Sequence, residues 1–158
     1  MKAKTIGLLV VLVAIAGTMM MTVACQGFGG VPGAEPMPEG SSFSGLWHSE
    51  QFDHMYLHQD GDQVKGVYMY GGGGSIEGEV DGNLLLFSWH EPGDRQRARQ
   101  DMSGKGYLQL EGQGDDQRLV GEWGYNEDRR GAGPWEAEFI REREDDDPTS
   151  LEEVEQRR

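Results

Sequence analysis

Cysteine is nearly absent: Cys25 is the only one in 158 residues. A lone thiol excludes an intramolecular disulfide and any metal site built on several cysteines. Positive charge is scarce too, with 14 Lys and Arg against 28 Asp and Glu and a formal net charge of −14. A surface so acidic repels phosphate backbones and anionic headgroups, which argues against nucleic acid as a partner. No Gly-x-Ser-x-Gly elbow, phosphate-binding glycine loop or His-Glu-x-x-His sequence occurs. No catalytic residue and no cofactor is therefore expected. Metal binding is not expected either. His54 and His58 stand four apart, which suits one ion on a helix, but on a strand they would lie about 13 Å apart. A site would need His48 or His90 brought alongside from a neighbouring strand, and His54, Tyr56 and His58 read better as an exterior stripe, the surface for protein contact in the competing structural reading.

What is present begins with a leader. Lys2 and Lys4 give a short positive start, residues 6–21 are almost wholly apolar, and Thr22-Val23-Ala24-Cys25 closes the segment. This is the architecture of a secretory signal over residues 1–24. The last four residues resemble the lipobox of bacterial lipoproteins. That resemblance implies acylation of Cys25 as the mature N-terminus and a permanent membrane tether through several acyl chains. Gln26, rather than aspartate, is similar to lipoproteins sent to the outer membrane. Two other readings remain: an uncleaved anchor of about 20 residues, long enough to span a ~30 Å hydrocarbon core, or ordinary cleavage that releases a soluble domain. Loss of Lys2 and Lys4 with the leader would take the charge from −14 to −16.

Residues 25–42 carry Gly27, Gly29, Gly30, Pro32, Gly33, Pro36, Pro38 and Gly40 and read as a flexible tether behind the lipidated cysteine. Residues 142–158 open with the charge run from Glu142 to Asp147 and read as a disordered acidic tail. Ser150 and Glu153 nevertheless have capping-box spacing for one turn of helix.

Between these flanks, over residues 43–141, one pattern recurs: a bulky residue, a spacer, a glycine, a spacer, a bulky residue. It appears from Phe43 to Trp47, from Val64 to Tyr68, from Ile76 to Val80 and from Leu119 to Trp123, with a weaker copy from Met102 to Gly106. The internal period of two marks strands with the bulky residues and glycine on one face. Turn signals at Asp60-Gly61, residues 71–74, Gly82-Asn83, 91–101, 112–116 and 126–133 divide the region into about eight strands with no room for a helix. Taking Asp60-Gly61 as a two-residue turn sets Leu57 against Val64 and Met55 against Gly66. Taking Gly82-Asn83 likewise sets Val80 against Leu85, Gly78 against Phe87 and Ile76 against Trp89. The inward face is then Trp47, Met55, Leu57, Val64, Tyr68, Ile76, Val80, Leu85, Phe87, Trp89, Leu108, Leu110, Trp123, Trp135 and Phe139. Lys65, Glu77, Glu79, Lys105, Glu122, Glu136 and Glu138 face water. A sheet with one greasy face must hide it, and an all-β antiparallel meander closed as an up-and-down barrel does so while abolishing its edges.

Gly45-Leu46-Trp47 resembles the Gly-x-Trp signature of lipocalins and their calycin relatives. Arg141 resembles the arginine that packs on that tryptophan, and avidin-like barrels share a similar plan. The resemblance implies a barrel with one mouth open to a small apolar or amphipathic ligand, on a membrane-anchored lipoprotein of the cell envelope. Trp47, Tyr68, Trp89, Trp123 and Trp135 are the expected walls. Arg95, Arg97 and Arg99 alternate in the longest loop and are the expected rim for a carboxylate or phosphate, unless they are solvated or pair with the acidic tail. Arg129 and Arg130 lie in a second loop that a meander places at the same end. An eight-strand barrel is only just wide enough for its own side chains, so a filled core with a structural or protein-interaction role is the competing expectation.

Overall fold

Eight strands form because each alternates apolar and polar residues and is bounded by a turn. They are β1 (Gly45–Ser49), β2 (Asp53–Asp60), β3 (Gln63–Tyr68), β4 (Gly74–Asp81), β5 (Leu84–Glu91), β6 (Met102–Glu111), β7 (Arg118–Tyr125) and β8 (Gly133–Arg141). The computed structural model describes residues 30–94 and 98–157. The strands run as an antiparallel meander, each paired with the next, and β8 pairs with β1 to close the barrel. The closing seam sets Trp47 against Phe139 and His48 against Glu138, with a bulge between Leu46 and Trp47.

Every residue expected on the inner face lies in or against the core, which also takes up Phe43, Phe52, Leu119 and Ala137. The β4–β5 register holds as expected, with Val80 opposite Leu85, Gly78 opposite Phe87 and Ile76 opposite Trp89. The β2–β3 register is a correction. The loop residues are Gly61 and Asp62, not Asp60 and Gly61, so Leu57 pairs with Gly66, Met55 with Tyr68 and Gln59 with Val64. Gly61 takes the left-handed conformation, φ 59°, which a glycine adopts without the steric penalty of a Cβ. Asp60 thereby stays on the ladder opposite Gln63. The slip is two residues, so each side chain keeps its face.

The glycines of the recurring pattern have a shared reason. A Cβ on Gly66, Gly78, Gly104 or Gly121 would overlap a carbonyl oxygen of the adjacent strand. Their backbones therefore approach more closely than any side chain allows, which tightens the wall of a small barrel. Large rings cover the missing side chains: Phe87 lies opposite both Gly78 and Gly106, Trp89 opposite Gly104, and Trp135 opposite Gly121.

Two segments expected to be free are packed, and the chain from Val31 onward forms one compact unit. Of the expected tether, residues 31–42 strap one end of the barrel. The Glu35 N–H donates to Asn83 Oδ1 and the Asn83 N–H to the Glu35 carbonyl, each at 2.8 Å, while Met37 packs against the core. Buried Asn83 supplies the physical reason, since its side-chain amide also donates to the Leu110 carbonyl at 3.1 Å. Of the expected disordered tail, Asp147 is 7% exposed and receives both arms of the Arg141 guanidinium at 2.8 Å. This bidentate pair pins the chain before α1 (Leu151–Gln156), whose Ser150 side chain accepts the Glu153 N–H as the capping-box spacing anticipated. Leu151 packs over Gly73. Val67, outward by register opposite Tyr56, is fully buried.

Candidate functional site

The meander sends β1–β2, β3–β4, β5–β6 and β7–β8 connections to one end of the barrel and the N-terminal strap to the other. At the strapped end the interior is filled. Trp47 is fully buried, donates its indole N–H to the Phe43 carbonyl at 3.0 Å and meets the Phe139 ring edge-on at 5.1 Å. Higher up, Trp135 donates to the Met55 sulfur at 3.0 Å. Phe52, from the β1–β2 connection, stacks on Trp135 with ring centroids 3.9 Å apart and closes the packed core from above.

Over that floor opens a cup of about 390 Å³, a volume within the range of small-molecule sites. Tyr68, Trp89 and Trp123 form its walls, and Tyr70, Met102 and Tyr125 stand around its rim. The rings lock one another edge to face: Trp89 with Trp123 at 5.4 Å, Trp123 with Tyr125 at 5.1 Å, and Phe52 with Trp123 at 5.7 Å. Among the described residues the large hydrophobics most open to solvent are Tyr70, Tyr125, Met102 and Ile140, and the first three belong to this rim.

Few polar groups enter the cup. Glu91, 6% exposed, lines it at the end of β5 and accepts the Tyr68 hydroxyl through Oε1 at 2.9 Å. Burial, then the adjacent Glu91 charge, raises the Tyr68 pKa far above its ordinary value, which keeps the phenol a donor. The indole N–H groups of Trp47, Trp89 and Trp135 are satisfied by protein acceptors. That of Trp123 has no acceptor among the described residues and is left for solvent or a ligand.

Four of the five expected wall residues, Tyr68, Trp89, Trp123 and Trp135, thus meet at one cup, with Trp135 as floor. Trp47 does not join them, because its position on β1 sinks it into the packed, strapped half. Arg95 and Arg97 lie outside the described residues, as does Cys25. Arg99 is at the right end of the barrel but is not among the residues that line the cup. Its guanidinium donates to the Gly71 and Pro92 carbonyls, tying the β3–β4 and β5–β6 connections together. Arg129 and Arg130 share that end, yet Arg129 reaches the Phe87 and Gly106 carbonyls. Arg130 grips Glu122 and holds that carboxyl below its usual pKa. Arg141 sits opposite Leu46 on the outer face, so Phe139, not Arg141, packs on Trp47. Among the described residues the rim is aromatic.

Phe52 and Gln51 are lining residues that the strand pattern missed, because each lies in a connection where alternation carries no information; Met102 opens the weaker copy of the pattern and does line the cup. The histidines distribute along the outside. His48 and His54 do come together across β1–β2, rings 5.3 Å apart, and His54 Nδ1 lies 2.6 Å from Asp53 Oδ1. Among the described residues the three-ligand grouping is instead Glu144, Asp146 and Asp147, where Asp147 is already committed to Arg141. Comparison of the chain with protein-family models, curated proteins and solved structures finds no match.

Proposed function

We propose that the chain is a non-catalytic, membrane-tethered lipoprotein of the cell envelope whose barrel binds a small apolar or amphipathic molecule in the aromatic cup, in the manner of the lipocalin-like barrels it resembles. One observation carries the reading: the exposed Tyr70, Tyr125 and Met102 converge on a single concavity instead of scattering over the surface. Exposed apolar side chains cost solvation, and their concentration around a pocket is the mark of a binding site. The filled half below Trp135 favours a ligand that seats at the mouth rather than one swallowed by the barrel. That same filling is what supports the second reading, a structural or protein-interaction module.

Tryptophan fluorescence titrated with single-chain amphiphiles tests the site. Binding is expected to shift the Trp89 and Trp123 emission, and Trp123→Ala to weaken it about tenfold or more, since a well-packed aromatic contributes over 1 kcal/mol. An unchanged spectrum at millimolar ligand refutes the reading. The tether is checked separately: palmitate incorporation in cells is expected for the natural chain and absent in Cys25→Ala.

A further inference from the structure

We infer that the cup selects an organic cation, an ammonium group carrying methyl or methylene substituents, and that Glu91 is its counter-charge. The inference rests on the binding reading above and names the ligand class.

Three features of the cup converge. Among the described residues its one charged lining side chain is a carboxylate; a site for fatty-acid or phosphate heads would present arginine or lysine there. Glu91 is more than nine-tenths buried, and a carboxylate taken out of water needs partners. It has one, the Tyr68 hydroxyl on Oε1, while Oε2 has none among the described residues. Arg99, at the same end of the barrel, is turned to the Gly71 and Pro92 carbonyls. Its charge is felt at Tyr68, but it makes no ion pair with Glu91.

The rings supply the second feature. Tyr68, Trp89, Trp123 and Phe52 surround the same space, and aromatic faces carry the negative lobe of the ring quadrupole, which attracts a cation within about 6 Å. An alkylammonium is the group that both ring faces and a buried carboxylate accept, since its substituents fill apolar volume while its charge stays unhydrated. The third feature is the field of the whole molecule. A net charge of −14 concentrates cations at the surface and repels anionic amphiphiles. The free Trp123 N–H adds a donor suited to a hydroxyl or ester oxygen on the same ligand.

The test uses three probes of one shape and different charge: choline, 3,3-dimethylbutan-1-ol and 3,3-dimethylbutanoate, with binding followed by tryptophan fluorescence and ligand-observed NMR. Choline is expected to bind about tenfold tighter than the alcohol, with the butanoate weakest. Glu91→Gln, which keeps the Tyr68 hydrogen bond, should cut the preference to under about threefold. Glu79→Gln, which removes an exposed carboxylate outside the cup, should preserve it, and an unchanged far-UV circular dichroism spectrum of Glu91→Gln separates lost charge from misfolding. Equal binding of the three probes, or tightest binding of the butanoate, overturns the cation inference and leaves the cup reading intact. No binding by any probe at about 10 mM also overturns it; the amphiphile titration then decides the cup reading independently. Dodecylphosphocholine below its micelle concentration separates sources: much tighter binding than choline identifies a lipid headgroup with its chain, and equal binding a free small molecule.

Discussion

Gly121→Ala is the sharpest check on why this barrel is built as it is. Gly121 faces inward on β7 opposite Leu108 of β6. A methyl group there would overlap the Tyr107 carbonyl oxygen and stand 3.1 Å from Leu108 Cα. Both obstacles are backbone, so no rotamer change relieves them, and β6 and β7 must separate locally. Two ladder hydrogen bonds flank the position, each with a net value of about 1 kcal/mol. Overpacking against a rigid wall adds ~1–3 kcal/mol. Alanine recovers ~0.4–1 kcal/mol by restricting the unfolded chain. The balance is a loss of about 2–4 kcal/mol out of the ~5–15 kcal/mol typical of a domain. With a urea slope of ~2 kcal/mol/M, the middle of the usual range, the unfolding midpoint should fall by about 1–2 M, read by tryptophan fluorescence and far-UV circular dichroism together. Gly33→Ala is the matched control, because a Cβ at Gly33 meets nothing within 4 Å; it should stay within ~0.5 kcal/mol of the parent. If the two variants melt at the same urea concentration, the close approach of β6 and β7 is not there and the account of the glycine pattern is wrong.

Asn83→Ala removes the side-chain acceptor of the Glu35 N–H and the donor to the Leu110 carbonyl; it should cost about 2 kcal/mol and open residues 31–42 to limited proteolysis, and a protease-resistant strap in this variant would contradict the assigned role. The Arg141 hydrogen bonds hold the Asp147 carboxyl below its ordinary pKa of 3.8. Because the folded value is the lower one, the stabilisation is complete above the unfolded pKa and fades as the pH falls below about 3.8. Hydrogen-exchange protection across residues 142–157, relative to the intrinsic rate at each pH, should therefore fall in acid, and Asp147→Asn should show low protection throughout; pH-independent protection of the natural tail would count against the pairing.

Much of this was legible in the alternation. A period-two pattern assigns faces without knowing partners, so the inward tryptophans Trp89, Trp123 and Trp135 could be named before any coordinates. The Gly82-Asn83 turn fixed its register because only one placement keeps a glycine at the turn and Phe87 over Gly78. Asp60-Gly61-Asp62 admitted two placements, and the side-chain pattern could not choose between registers two residues apart. Phe52 was invisible for a different reason. It belongs to a connection, and its stacking on Trp135 is a contact between residues far apart in sequence. Charge at a loop says nothing of direction: Arg99, Arg129 and Arg130 spend donors on nearby carbonyls and on Glu122, while Arg95 and Arg97 lie outside the described residues.

What the chain's order of residues determined alone was a meander of eight amphipathic strands and an acidic composition, because these depend on local periodicity and residue counts. Only the closed tertiary structure decided which end is strapped and which is open, and that the open end gathers Glu91, Tyr68 and the rings of Phe52, Trp89 and Trp123 into one cup. Those groups come from three strands, β3, β5 and β7, and from the β1–β2 connection. The angle at which the barrel closes, set by glycine-permitted backbone approach and core volume, is a property of all eight strands at once.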